Sequence, residues 1–424
     1  MADRVESRYR RWIGEPQLRL AYLVHNLGDP AVAKRVRMLR AFGDQVLPIG
    51  FHRDDRSVAS VEGIPAVDLG RTFDANFRQR LTMMLRQIMS LADWARPLRD
   101  CDVVIARNLE MLLLGAVARR RYAPRASLVY EALDIHRLLL SESILGTLMR
   151  ALERILLRRA DLLIVSSPAF LREYFEPMQR LGKRSAIDTL IVENKLLPAS
   201  RSAPRPVSVT SSNPAPPWRI GWFGMIRCRK SLDYLCDLAR RRPDLLRLII
   251  RGRPSYTEFA DFDGQIAQTP AASFGGAYGP EEVGTLYGNV HFNWAIDFFE
   301  EGANSRWLLP NRVYEGGAFG AVPIAIEGTE TARWLRQRGV GVVLPALEAF
   351  DEFLGGLTSE RYAQLKAASE AAPESAFIAG EGDCRRLLDA VHRGKLRRLR
   401  QARRSGDRGF ALATVAETRD DAPT

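Results

Sequence analysis

The chain has 424 residues, 46% of them hydrophobic, with a net charge of +12 and a pI near 9.9. That length accommodates two or three globular domains, and no window approaches the ~18 continuous apolar residues of a membrane-spanning helix. Cys101, Cys228, Cys236 and Cys384 are scattered without a CxxC pair or a metal-ligand spacing, which excludes a structural zinc and fits a reduced compartment.

Taken in chain order, the start "MADRVESRYRRWIGEP" is charged where a signal peptide needs an apolar stretch, so a cytoplasmic protein is expected. Residues 18 to 24, "LRLAYLV", read as a strand, "HNLGDP" as a loop, "AVAKRVRMLRAFG" as an amphipathic helix and "QVLPIGFH" as the next strand. Further strands are expected at 101 to 107, 126 to 133, 160 to 167 and 188 to 194, with helices between them. Alternation of this kind predicts an α/β domain built on a doubly wound parallel sheet over residues 1–197. Residues 198–217, "PASRSAPRPVSVTSSNPAPP", have the composition of a linker.

A second series follows over 218–384: "WRIGWFG", "LLRLIIRG", "NVHFNWAI", then "LPNRVYEGGAFGAVPIA" and "GVGVVLP". In the fourth of these, Asn311 is expected to cap a helix that carries Glu315. Gly316 and Gly317 there each cost about 1 kcal/mol against alanine, so they imply a close approach by a backbone or a ligand. The plainer alternative is helix packing with a surface Glu315–Arg312 pair. From 385 to 424 a basic helix frays into a tail, with ten Arg or Lys against two Asp between Arg385 and Arg408.

The positive charge favours anionic partners: nucleic acid, nucleotide phosphates or an anionic membrane face. Ligands of open parallel sheets bind beyond the carboxyl ends of the strands, which draws attention to Asn26, Gly28 and Asp29 after the first strand. After "WFG", Gly224 marks a strand end. Arg227, Arg229 and Lys230 then precede a helix beginning near Ser231, which suits a diphosphate, although a solvated basic turn has the same composition. Glu315 would accept hydrogen bonds from a ribose diol.

Residues 71 to 99 place Phe73, Phe77, Leu81, Met84, Leu85, Ile88, Leu91 and Trp94 at helical spacing. This is the pattern of a core-facing stripe, and its excess arginine fits a helix lying on an anionic bilayer as well. Asp261 and Asp263 have DxD spacing but follow no clear strand end, which reads as solvated surface. A nucleic-acid-binding protein is the rival from another class, against which stands the absence of an RNP-like or helix-turn-helix pattern.

Together, "GDPAVAKRVRMLRAFGDQVLPIGF", "CDVVIARNLEMLLLGAVA", "LVYEALDIHRLL", "IVENK", "IGWFGMIRCRKSL" and "LPNRVYEGGAFGAVPIA" resemble a retaining glycosyltransferase of the GT-B fold. The resemblance is to the group 1 or family 4 class that makes bacterial exopolysaccharides and cell-envelope glycans, and it covers about residues 18 to 345. It implies two Rossmann-like domains facing a central cleft, a nucleotide-diphosphate sugar as donor and no cofactor or metal. It also implies a lipid-linked or oligosaccharide acceptor, peripheral placement on the inner face of the plasma membrane, and no nucleic-acid partner.

On the donor side the resemblance places Gly224, Arg227, Lys230, Asn311, Arg312, Glu315 and Gly316. Glu131, Asp134 and His136 are expected just past a strand of the first domain, where the resemblance puts Asp134 and His136 near the acceptor hydroxyl and the donor anomeric carbon. Two departures stand out: Trp307 occupies the place of the first of two family glutamates, and Gly224-Met225 and Lys230-Ser231 replace the usual Gly-Arg and Lys-Gly. They leave two alternatives within the fold, a nucleotide-sugar epimerase and an inactive transferase-like assembly partner.

Overall fold

The computed structural model describes residues 17–72, 77–182, 187–198 and 214–404, with side chains except at 77–81 and 401–404. The charged opening, most of the expected linker, Phe73, the side chains of Phe77 and Leu81, and the tail beyond 404 lie outside the described residues or side chains.

The first domain alternates β1 (Arg19–Val24), α1 (Pro30–Leu39), β2 (Gln45–His52), β3 (Val67–Arg71), α2 (Phe77–Met89), β4 (Val103–Arg107), α3 (Asn108–Tyr122), β5 (Ser127–Ala132), α4 (Ile144–Leu157), β6 (Leu162–Val165) and β7 (Asp188–Ile191). The strands form one sheet in the order β3-β2-β1-β4-β5-β6-β7, parallel throughout. Strand periodicity divides its apolar side chains between two layers. Leu20, Tyr22 and Val24 face α1, while Ala21 and Leu23 join Met84, Leu112 and Leu156 on the other side.

The second domain holds β8 (Trp218–Ile226), α5 (Arg229–Arg241), β9 (Leu246–Pro254), β10 (Ala272–Phe274), α6 (Val283–Gly288), β11 (Phe292–Trp294), α7 (Asn311–Ala318), β12 (Val322–Ile326), α8 (Glu330–Arg338) and β13 (Val342–Leu344). Its sheet runs β10-β9-β8-β11-β12-β13, also parallel. Both sheets therefore reverse their winding beside the first strand, between β1 and β4 and between β8 and β11, and each reversal opens a crevice at the strands' carboxyl ends.

The basic C-terminal helix expected from the sequence packs as part of the first domain. The chain returns at residues 377–379, where Leu196 N donates to Phe377 O and Ala379 N to Leu196 O, at 2.9 and 2.7 Å. Helix α9 (Glu381–Arg404) then covers the first domain, burying Cys384, Leu387, Leu388 and Val391 against Leu20 and Tyr22. Its cations are used locally, since Lys395 Nζ lies 2.7 Å from Asp102 Oδ1. The arginine-rich sequence hid an apolar stripe that completes a core.

Candidate active site

The site builds from the second reversal point. Strand β8 does not stop at Gly224 but runs two residues further to Ile226. Gly224 (φ +101°) sits opposite Gly252 (φ +139°), where an added Cβ would lie 1.8 Å from Gly224 O, so a side chain at Gly252 is excluded. Only Arg227 and Cys228 separate the strand from α5, and Cys228 Sγ caps that helix by accepting from Ser231 N at 3.4 Å. Arg229 and Lys230, expected in a loop, thus lie in the first helical turn, beside N–H groups that have no intrahelical acceptor.

The loop after β11 closes on these cations. Arg227 Nη2 lies 3.5 Å from Asp297 Oδ2, with its guanidinium 4.5 Å from the Phe299 ring. Lys230 Nζ donates to Glu301 Oε1 at 2.8 Å and stands 4.4 Å from the Phe298 ring. Arg312 Nη2 is 3.9 Å from the same Asp297 carboxylate, and its Nη1 donates to Trp294 O at 3.2 Å. Three cations converge on one crevice, where Asp297 and Glu301 pair with them. Beside this loop, a cavity of about 210 Å³ is lined by Asp297, Glu301, Ser305, Glu327 and Thr329 among others, groups that can hydrogen-bond hydroxyls.

Helix α7 begins at Asn311, with Pro310 as the cap residue, so Asn311 is the first helical residue and not the expected cap. Glu315 accepts from Tyr287 Oη at 3.0 Å, while Arg312 turns to Asp297 in place of the expected surface pair. Burial raises the Glu315 pKa, opposed by the Tyr287 hydrogen bond and by the charges of Lys34 and Arg312.

Lys34 comes from the first domain. Its Nζ donates to the carbonyls of Asn194 and Lys195, both at 3.2 Å, and burial lowers its pKa to about 8. The glycines have a packing explanation. A Cβ on Gly316 would meet Asn293 Nδ2 at 2.6 Å and one on Gly317 would meet the Phe377 ring at 2.1 Å, so neighbouring side chains fill the room expected for a ligand.

On the facing domain, Asn26 Oδ1 accepts from Gly28 N at 3.1 Å, and Asp29 Oδ1 caps α1 by accepting from Ala31 N at 2.8 Å. Glu131, expected just past its strand, lies inside β5. There it accepts from Tyr22 Oη at 2.6 Å, Arg35 Nε at 2.5 Å and Arg107 Nε at 2.9 Å. Burial alone would raise its pKa, but Arg107, Arg35 and the Tyr22 hydrogen bond hold it down to about 2. Arg107 Nη2 also donates to Ala31 O at 3.2 Å, so this buried network fixes the start of α1 and the loop before it.

His136 Nδ1 accepts from Leu138 N at 3.2 Å and caps the short helix Arg137–Leu140. Asp134 accepts a hydrogen bond from Asn304 of the second domain, and Asn304 Oδ1 in turn accepts from Ile135 N at 3.4 Å. One asparagine therefore ties the loop after β5 to the loop that carries Asp297 and Glu301. Burial, and next the charge of Asp134, raise the pKa of Glu300, which Arg227 opposes; the second domain thus brings a further carboxylate to this junction. Trp307 packs against the first domain's core, and its carbonyl accepts from Ser167 Oγ at 2.5 Å, so the residue in the family glutamate's place serves the domain contact.

The structure thus gathers Arg227, Lys230, Arg312 and Glu315 on one domain and brings the Asp134 loop to them from the other. Lys34, Tyr287, Asp297, Glu300 and Asn304 were missed by sequence reasoning. The acidic run "DFFEE" at 297–301, directly after a strand, was the one local signal available. Asp261 caps a short surface helix by accepting from Gly264 N at 2.8 Å, which accounts for the DxD spacing.

Two Rossmann-like domains of parallel sheet, with a cationic crevice on the second that faces the Asp134 loop of the first, have the GT-B fold of glycosyltransferases. A glycosyl transferase 4-like domain model matches residues 29–181. Over 376 residues the chain is 43% identical to the succinoglycan biosynthesis protein ExoL of Rhizobium meliloti strain 1021, covering 88% of this chain and 92% of that protein. The chain belongs to this glycosyltransferase family.

Among solved structures, HepE of Anabaena in complex with UDP and glucose superposes with a TM-score of 0.64 at 15% identity, covering 89% of this chain and 100% of that one. Sucrose-phosphate synthase of Thermosynechococcus elongatus gives 0.67 at 13% identity, covering 89% and 99%. At these identities the likeness is one of fold.

Proposed function

We propose that the chain transfers a hexosyl unit from a nucleotide-diphosphate sugar to a growing, lipid-linked exopolysaccharide intermediate in the cytoplasm, with retention of anomeric configuration. The convergence of Arg227, Lys230, Arg312 and the N-terminus of α5 carries this reading, because the departing diphosphate is where negative charge develops. Glu315 holds the ribose diol by replacing its Tyr287 contact. The hydroxyl-binding cavity beside Asp297 takes the sugar, and Asp134 and His136 lie toward the acceptor. No cofactor or metal takes part.

The identity to ExoL supports an exopolysaccharide product, and the UDP and glucose bound by HepE support a uridine donor. Retention rests on the family resemblance. Closure of the domains excludes water, which would otherwise compete as acceptor.

Incubation with a panel of nucleotide sugars, with and without a lipid extract as acceptor source, tests the proposal. The expected result is acceptor-dependent release of nucleotide diphosphate. Equal turnover without acceptor, giving an isomerised sugar nucleotide, would establish the epimerase alternative, and no turnover with any donor would favour an inactive assembly partner.

A further inference from the structure

Four carboxylates meet where the loop after β11 faces the loop after β5, and three of them are engaged. Asp297 pairs with Arg227 and Arg312, Glu301 with Lys230, and Asp134 accepts from Asn304. The fourth, Glu300, is half-buried, and no side chain or backbone N–H among the described residues donates to its carboxylate.

Its backbone is fixed all the same. Glu300 N donates to Ser305 Oγ at 2.9 Å, and Ala303 N donates to Glu300 O at 3.0 Å, which closes a tight turn. Before it stands Phe299, whose ring lies 4.5 Å from the Arg227 guanidinium; after it, Asn304 holds Asp134. Glu300 therefore sits between a cation of the crevice and the opposite domain, and its partner Ser305 lines the cavity beside Asp297. Burial and next the charge of Asp134 raise its pKa, against Arg227 and Arg137, so its strongest like-charge neighbour belongs to the first domain. A carboxylate held beside a like charge, with no donor of its own, costs stability unless a ligand supplies the donor.

We propose that Glu300 contacts the transferred sugar, accepting hydrogen bonds from its hydroxyls opposite Asp134, and so helps select which sugar is transferred. The assignment rests on the transferase reading. An ionised carboxylate offers only acceptors, so it repels a phosphate and suits a hydroxyl. With the diphosphate on Arg227 and Lys230, the sugar joined to it is the part of the donor that lies toward the first domain. Glu300 and Asp134 then approach one sugar from the two domains. A sugar whose hydroxyl points elsewhere leaves a desolvated carboxylate without a donor, which is a strong source of discrimination.

Isothermal titration of sugar nucleotides against their parent nucleoside diphosphates, UDP-glucose against UDP and GDP-mannose against GDP, tests this in wild type and Glu300→Gln, with melting temperatures taken on the same samples. The variant should keep its nucleoside diphosphate affinity within about twofold, bind the sugar nucleotide about tenfold or more weakly, and melt no lower than wild type. Glu301→Gln, which removes the carboxylate paired with Lys230, should by contrast shift both ligands alike. A wild-type ratio of the two affinities in Glu300→Gln overturns the inference, as do equal losses for both ligands accompanied by a lower melting temperature. A wild-type protein that binds no nucleotide at all rejects the donor site itself, and Glu300 with it. Nucleoside diphosphate binding by wild type with an unchanged ratio in the variant rejects the role of Glu300 alone.

Discussion

Lys230 Nζ lies 2.8 Å from Glu301 Oε1, so a cation assigned to the donor diphosphate is already paired with a carboxylate of the loop after β11. Both side chains are about half exposed, 49% and 57%, which limits the pair to the roughly 0.2–1 kcal/mol of solvent-screened ion pairs. Glu301→Gln should therefore tighten nucleotide-diphosphate binding by a factor of up to about five. Isothermal titration of both proteins checks this, and weaker binding in the variant would mean that Glu301 contacts the donor directly.

Asn304 joins the domains by donating to Asp134 while accepting from Ile135 N. Under the proposed function, Asn304→Ala leaves Arg227, Lys230 and Arg312 in place but releases the Asp134 loop. Turnover should fall about tenfold or more, because a misplaced acceptor loses the benefit of orientation. Nucleotide affinity should stay within about twofold, since the diphosphate contacts are untouched. Paired measurement of kcat and nucleotide Kd reads the difference, and equal losses in both would mean that the variant distorts the donor crevice.

The buried Glu131 gives a prediction in pH. Its pKa in the folded protein is depressed to about 2 from an ordinary 4.5, so its contribution to stability is fully present above about pH 4.5 and is lost as pH falls toward 2. The shift corresponds to up to about 3 kcal/mol. Glu131→Gln leaves Arg35 and Arg107 buried without their carboxylate and should cost about 3–5 kcal/mol near neutral pH. Urea unfolding across this acid range should show a shallower decline for the variant than for wild type. Parallel declines would assign the acid sensitivity to other carboxylates.

The strands of both sheets were largely legible because buried parallel strands are short apolar runs, and β1, β2, β4 and β5 fall where "LRLAYLV", "QVLPIGFH", "CDVVIAR" and "ASLVYEAL" put them. Two of the edge strands, β3 and β10, were not. Strand β3, "VDLGR", carries an aspartate and a glycine, and β10 has only three residues. Helix α9 was expected as a basic helix, but its arginines drew attention from Leu387, Leu388 and Val391, which suffice to complete a core.

At the site, Arg227 and Lys230 could be singled out because they follow a strand in a basic cluster. The partners Asp297, Asn304 and Lys34 could not, since each acts on a residue distant in sequence. Glu131 and Asp134 show the same limit. Three residues apart in "YEALDIHR", one is a buried anchor and the other is exposed at the domain junction, a difference set by strand direction and by a contact 170 residues away.

The most direct test is calorimetric titration of a panel of nucleoside diphosphates into wild type, Arg227→Ala and Glu315→Gln, with melting temperatures taken on the same samples. Wild type should bind one of them. Arg227→Ala should lose about 1.5–3 kcal/mol of binding, the scale of a hydrogen bond to a charged group. Glu315→Gln should weaken binding with little change in melting temperature, because it keeps the shape of the side chain that Tyr287 contacts. A wild-type protein that binds no nucleoside diphosphate, or two variants with wild-type affinity, would contradict a donor site at this crevice.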